Sequence, residues 1–325
     1  DRRVYMIMEG ENLVTSAKST GFGLAELATV FDDLRPDAVV TVADRFETLA
    51  TAVSASYLNI PLVHVQGGEV TGSIDEKVRH SITKLADLHF VATEKAAERV
   101  IRMGEQPERV FVTGCPSIDV VKRALSRAPI PHERLFVEYG GVGDSLDLSQ
   151  GYIVVLQHPV TTEHEESRQH VTETLHAVVD SGIPAIWFWP NVDAGSDGTS
   201  KGIRSFREKH TLPRIHFFKN LPPEDFLRLL DESLCIVGNS SVGIRECSYM
   251  GVPTVNIGSR QQGRERGANT LDVPYDRHAI LAAIRRAVEG GRCKPDPLYG
   301  DGSSGERIAA LLAEVPLSFE KRLAY

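Results

Sequence analysis

Short apolar runs alternate with amphipathic stretches along almost the whole chain. Arg3–Met8, Asp37–Val42, Pro61–Val65, Leu88–Ala92 and Arg109–Val112 read as strands. Between and after them, Leu24–Leu34, Glu47–Leu58, a stretch from Ser73, Glu94–Met103 and a stretch from Pro116 carry helical periodicity. Short apolar strands separated by amphipathic helices predict a parallel sheet covered on both faces. The rhythm breaks over Ser126–Gln150, where Pro129, Pro131, Gly140, Gly141 and Gly143 read as a linker with some local structure. A second series follows, with strands at Tyr152–Gln157, Ala185–Trp189, Arg214–Phe218, Cys235–Gly238 and Thr254–Ile257. Its helices fall over His164–Ser181, from Pro222-Pro223 to Leu230, and over Val242–Met250, His278–Glu289 and Gly305–Glu314. The expected fold is α/β: two doubly wound Rossmann-like domains, residues 1–145 and 146–325, with the ligand site in the cleft between them. The opening DRRVYMIM reads as the interior of a domain, so the chain is expected to start inside its first domain, short of one strand–helix unit.

In such sheets, ligands bind at the loops leaving the strands' carboxyl ends. The richest of these is HVQGGEVTGSIDEKVRH, His64 to His80, which gathers Glu69, Asp75, Glu76, Arg79 and two histidines around a Gly67-Gly68 turn. Ser73 and Glu76 have the spacing of a capping box, and Asp75 and Arg79 that of an ordinary i,i+4 surface pair. Each residue alone fits such a local role; the cluster carries more ionisable groups than a connection requires. Asp44, directly after a strand, fits a general base and equally fits a cap for the next helix. Gln157-His158-Pro159 leaves the first strand of the second series, where a histidine suits a leaving phosphate but also a structural role. GNSSVGIRE, Gly238–Glu246, runs from a strand into a helix start at Ser240 and Ser241, a place suited to phosphate oxygens. Glu246 there suits ribose hydroxyls, or else is a solvated helix residue. Asn191–Ser196 after IWFW is a weaker loop of the same kind.

Composition narrows the classes. The 325 residues are 42% hydrophobic and 25% charged, as in ordinary globular proteins. A net charge of −8 argues against a general nucleic-acid binder but leaves a local anion site open. Cys115, Cys235, Cys247 and Cys293 are too widely spaced for a zinc site or a disulfide framework, which fits a cytoplasmic protein. No apolar run is long enough to span a bilayer. Neither G-x-G-x-x-G nor a P-loop motif is present, which argues against a dehydrogenase or a P-loop enzyme.

Seven ordered motifs carry a resemblance: ADRFETLA (Ala43–Ala50), the stretch His64–Phe90, TGCPSID (Thr113–Asp119), LQHPVTTE (Leu156–Glu163), PNVDAGS (Pro190–Ser196), GNSSVGIRE and YGDG (Tyr299–Gly302). Nearly end to end, the chain resembles the hydrolysing UDP-N-acetylglucosamine 2-epimerases of sialic-acid and related nonulosonic-acid synthesis. The resemblance implies a glycosyltransferase-B-type fold and a reaction in which UDP leaves C1 as a proton leaves C2, followed by addition of water. N-acetylmannosamine and UDP are then the products, without metal or cofactor. Position by position, it implies Asp44 as acid/base, Arg45 on the sugar, Asp75 as a catalytic carboxylate, and Glu76 and Arg79 beside the sugar. His158 falls on the diphosphate, Ser240 and Ser241 on phosphate, Glu246 on ribose, and Asn191 and Gly114 on the nucleotide side. The implied partner is the nucleotide sugar, with neither nucleic acid nor membrane, in a homodimer or homotetramer. Gln66 departs from the family, where many members have Glu. An amide cannot move a proton, so an acid role would pass to Glu69, Asp75 or another group, or Gln66 only binds substrate. The same reaction on a UDP- or GDP-linked bacillosamine-type sugar, a glycosyltransferase of the same fold and a silent nucleotide-sugar sensor are the other readings.

Overall fold

The computed structural model describes residues 2–10, 12–71, 74–190 and 196–324. Its contacts divide the chain into two units, Asp1–Pro116 with Tyr299–Tyr325, and Ser117–Leu298.

The first unit contains α1 (Leu13–Leu34), β1 (Val39–Val42), α2 (Phe46–Tyr57), β2 (Leu62–Val65), α3 (Asp75–Leu85), β3 (Leu88–Val91), α4 (Glu94–Arg102) and β4 (Val110–Val112). Its sheet is parallel in the order β1-β2-β3-β4. Strand alternation decides what each face buries. Leu62 packs with Ala52, Ala55 and Ile82 beneath α2 and α3, whereas Val63, Val65, Leu88 and Phe90 turn to the other face. Arg3–Met8, expected as a strand, joins no ladder. α1 begins well before Leu24 because Asn12 caps it, accepting from the Thr15 amide and hydrogen-bonding the Thr15 side chain in return.

The second unit contains α5 (Pro116–Leu125), α6 (His132–Tyr139), β5 (Ile153–Leu156), α7 (Ser167–Ser181), β6 (Ala185–Phe188), α8 (Ser196–Lys209) and β7 (Ile215–Phe218). It continues through α9 (Pro223–Glu232), β8 (Cys235–Gly238), α10 (Ser241–Ile244), α11 (Glu246–Met250), β9 (Thr254–Ile257), β10 (Thr270–Val273) and α12 (Arg277–Gly290). The parallel sheet has the order β10-β9-β8-β5-β6-β7, so winding reverses between β5 and β8. Ile153 and Val155 pack against α7, α8 and α12, and Val154 packs against α5, α6 and α9 on the opposite face.

Three sequence expectations are corrected here. Ser126–Gln150 is not a linker: Leu135 and Leu148 are in this unit's core, and Val142 pairs with Phe217. Gly141 is there for contact, since a Cβ on it would lie 2.4 Å from the His216 imidazole. The unit boundary therefore falls near Pro116 and not at residue 145. The expected helix Val242–Met250 is two short helices broken at Arg245; α8 and β10 were not expected at all.

The chain then returns to the first unit as α13 (Ser304–Glu314), which belongs there and not to the second domain. Ile308, Leu311 and Leu312 of α13 cover the open face of the first sheet. The tail beyond is fixed by charge: Lys321 Nζ lies 2.6 Å from Glu105, which also takes Lys84 at 2.7 Å and His89 Nε2 at 3.0 Å.

Candidate active site

In the first unit, Ala43 and Gln66 follow β1 and β2 at the same level of the ladder, because Val42 is in register with Val65. Both are non-glycine residues at φ +69°, a left-handed conformation that L-residues avoid and that collects at functional sites. Their amides extend the ladder, Ala43 to the Val65 carbonyl at 3.0 Å and Gln66 to that of Phe90 at 2.8 Å. Behind Gln66 the chain turns through Gly68 at φ +75°, where a Cβ would stand 2.2 Å from the Ala96 carbonyl oxygen. Only glycine fits there, and Arg99 holds the turn through the Gly68 carbonyl at 3.1 Å.

The two loops meet on Arg79. Its guanidinium is buried, 1% exposed, and donates Nη1 to the Glu69 carbonyl at 2.8 Å and to Glu76 Oε2 at 3.1 Å. Nη2 donates to Asp44 Oδ2 and, at 3.2 Å, to Thr71 Oγ1. A buried guanidinium stays charged and must be paired, and its planar fork can serve several acceptors at once. The Asp44 and Glu76 side chains keep 18% and 29% exposure, so the cation lies inside with carboxylates toward solvent. The expected Asp75–Arg79 surface pair is thus corrected: Arg79 is interior and its carboxylate partner from β1's loop is remote in sequence. The expected capping box turns on Ser73, which lies outside the described residues; Glu76 accepts from the Thr71 amide at 2.7 Å and from His80 at 2.9 Å.

In the second unit the loops after β5 and β8 diverge at the reversal of strand order, where open α/β sheets bind ligands. Asn239 joins them. Its Oδ1 accepts from the His158 amide at 2.7 Å and its Nδ2 donates to the His158 carbonyl at 2.8 Å. The Asn239 carbonyl accepts from Gln261 at 2.9 Å and Arg260 at 3.3 Å. Ser240 caps α10 through Val242, and Ser241 Oγ accepts from Arg245 at 3.1 Å. Glu246 is 7% exposed, which removes the solvated-helix reading. Its Oε2 is buried with no hydrogen-bond donor among the described residues, and Arg245 Nε stands 3.8 Å away.

The structure thus brings Asp44, Glu76, Arg79 and the Glu69 backbone together, with the Glu69 side chain buried beside them in sequence. Arg45 lies against Glu47 at 3.3 Å and the Phe46 ring, and Asp75 is the half-buried first residue of α3. Gln66 is buried and donates Nε2 to Cys115 Sγ at 2.7 Å. Gly114 falls in the first unit, its side-chain position facing Gly300 at 3.2 Å. Asn191 lies outside the described residues. His158, Ser240, Ser241 and Glu246 share the second unit's switch point. His64 and Asn239 were placed in their loops by the sequence but given no role of their own, and Gln261 was missed; all three hold loops by hydrogen bonds to backbone groups, for which neither periodicity nor charge gives a signal.

Two units, each a parallel sheet covered by helices, place the chain in the glycosyltransferase-B class of folds. Solved structures of that class match it along its length: the UDP-GlcNAc 2-epimerase from Neisseria meningitidis bound to UDP-GlcNAc, at 17% identity and TM-score 0.78, covers 95% of this chain and 84% of its own. The Methanocaldococcus jannaschii UDP-GlcNAc 2-epimerase, in complex with UDP-GlcNAc and UDP, gives TM-score 0.76 at 20% identity, over 93% and 82%. The UDP-N-acetylglucosamine 2-epimerase family profile matches residues 2–313. A UDP-N,N'-diacetylbacillosamine 2-epimerase (hydrolyzing) of Legionella pneumophila is 36% identical over 302 residues, 93% of this chain and 77% of the relative. A UDP-N-acetylglucosamine 2-epimerase of Neisseria meningitidis is 32% identical over 291 residues, 88% and 73%. The chain belongs to the UDP-N-acetylglucosamine 2-epimerase family.

Proposed function

We propose that the chain is a hydrolysing sugar-nucleotide 2-epimerase acting on UDP-N-acetylglucosamine. In this reading a base of the first unit removes the C2 proton while the C1–O bond breaks and its electrons leave with UDP. Water then adds at C1 of the glycal-like intermediate, a proton returns to C2 on the other face, and N-acetylmannosamine and UDP depart. Asp44 is the acid/base; Glu69 or Asp75 supplies the second proton transfer, because Gln66 is an amide. Arg45, Gln66, Glu76 and Arg79 hold or frame the sugar. On the nucleotide side His158, Ser240 and Ser241 meet the phosphates, Glu246 accepts from the ribose, and Asn191 and Gly114 complete the surroundings. The carrying observation is the buried Arg79, which draws Asp44, Glu76 and the Glu69 carbonyl into one cluster. The buried acceptor of Glu246 supports the ribose contact.

A second reading keeps the chemistry and changes the sugar to a UDP-linked diacetamido hexose. It is favoured by the Legionella relative's activity. Incubation with each nucleotide sugar and separation of the products tests both. Free N-acetylmannosamine with UDP is the expected result, a diacetamido sugar released only from the bacillosamine substrate would select the second reading, and an intact UDP-N-acetylmannosamine would refute hydrolysis.

A further inference from the structure

His64 takes no part in the reaction just described, yet it is wholly buried between both candidate loops. We propose that His64 is a positioning residue: its neutral, Nε2-protonated imidazole fixes the Ala43 carbonyl and thereby the direction in which Asp44 leaves the sheet. The proposal rests on Asp44 acting in the reaction.

The tautomer follows from the partners. Nε2 stands 3.1 Å from the Ala43 carbonyl oxygen, which can only accept, so Nε2 carries the hydrogen. In the neutral ring Nδ1 is then the acceptor, and the Thr83 hydroxyl at 3.2 Å donates to it. Burial pushes the imidazole down to about 3, with the positive field of Arg79 and the nearby His89 adding to the effect against Asp44 and the Ala43 bond. The ring is therefore uncharged near neutrality, and with no exposure it cannot exchange protons with a substrate.

What the ring can do is set a backbone. The Ala43 carbonyl belongs to the peptide unit whose nitrogen is that of Asp44, so its direction sets ψ of Ala43 and constrains φ of Asp44. Ala43 is at φ +69°, a conformation that L-residues avoid unless the surroundings hold it. Asp44 is then fixed from both ends, its backbone through His64 and its carboxylate through Arg79. The second loop rests on the same ring: a Cβ on Gly67 would stand 3.0 Å from His64 Nδ1 and 3.1 Å from Thr83 Oγ1. One imidazole thus sets the level of the loops carrying Asp44 and Glu69.

The test compares His64→Asn, whose amide is too short to reach the Ala43 carbonyl, with His64→Gln, whose Nε2 reaches the position of the imidazole Nε2. His64→Asn is expected to lower kcat roughly 10²-fold, the scale of a misplaced reacting group, with KM nearly unchanged. His64→Gln should recover at least about tenfold of that loss. Combined with Asp44→Asn, His64→Asn should cost less than about threefold more. Nitrogen-15 NMR of the full chain should show an Nε2–H ring that does not titrate between about pH 5 and about pH 8. An Nδ1–H tautomer, titration in that range, equal losses in both His64 variants with a raised KM, or full additivity with a slow Asp44→Asn enzyme would each overturn the proposal. Wild-type turnover by Asp44→Asn alone would instead refute the role given to Asp44, a separate and separately visible failure.

Discussion

Replacing Arg79 by lysine separates charge from geometry at the centre of the first unit. The guanidinium serves two sides, Nη1 to the Glu69 carbonyl and Glu76 and Nη2 to Asp44 and Thr71. An ammonium keeps the charge but places its donors on one nitrogen, so it can satisfy one side and abandons the other. The bonds lost are one to a carboxylate and one to a neutral oxygen, worth about 1.5–3 and about 0.5–1.5 kcal/mol. Because Asp44 and Glu76 keep some exposure, water replaces part of this, and the expected loss is about 2–4 kcal/mol. That is a large share of the roughly 5–15 kcal/mol stabilising a typical domain. Urea unfolding followed by far-ultraviolet circular dichroism measures it. The only tryptophans, Trp187 and Trp189, lie in the second unit, so the dichroism transition should move ahead of the tryptophan-fluorescence transition. Turnover should fall by roughly 10²-fold as Asp44 loses its anchor. An Arg79→Lys chain with wild-type midpoint and wild-type turnover would refute the reasoning, because it would make the fork dispensable.

Three further outcomes are expected. Asp44→Asn should lower kcat at least about 10²-fold in an assay of UDP release while KM is largely kept, and near-wild-type activity would remove Asp44 from the mechanism. Glu246→Gln should weaken UDP binding about tenfold or more by calorimetry, the cost of one charge-assisted bond, and unchanged affinity would mean the ribose lies elsewhere. Burial opposes ionisation of Glu105, but hydrogen bonds from His89, Lys321 and Lys84 outweigh it and hold the carboxyl at about 2. A depressed carboxyl stabilises the fold above its unfolded value of 4.5 and loses that contribution as pH falls toward about 2. The unfolding free energy from urea titrations across that window should therefore drop by up to about 3 kcal/mol in the wild type and stay flatter in Glu105→Gln; equal slopes would refute the stabilising role given to Glu105.

Most strands were legible because a parallel strand buried on both faces must be apolar throughout, as Cys235–Gly238 and Ile153–Leu156 are. Elements that depart from this signal were not. β10 is a half-exposed edge strand, with Asp272 tied to Arg266. α8 carries Gly198 and Gly202 where it presses on α7, so its packing face is marked by missing side chains: a Cβ on Gly202 would lie 2.6 Å from Val171. The Ser126–Gln150 glycines were misread for a related reason. Glycine marks close backbone approach as often as a flexible connection, and the partner chain segment, around His216, is distant in sequence.

The candidate site shows the same division between position and pairing. That Asp44, Glu69, Glu76 and Arg79 sit on loops and a helix start at strand carboxyl ends follows from periodicity alone. Which acid meets which base does not, because helical spacing ranks Asp75 as the partner of Arg79 while the fold supplies Asp44 from another loop. Burial decides between them. An arginine on the outer face of α3 would pair locally for little gain, but one turned under the loops cannot stay unpaired, so it takes every acceptor its fork can reach: the Glu69 carbonyl, the Thr71 hydroxyl, the Glu76 carboxylate on its own helix and Asp44 from the loop after β1. The same turn that conceals Arg79 from local rules makes it a probe of them, since only the interior arrangement predicts that a charge-conserving lysine cannot replace it.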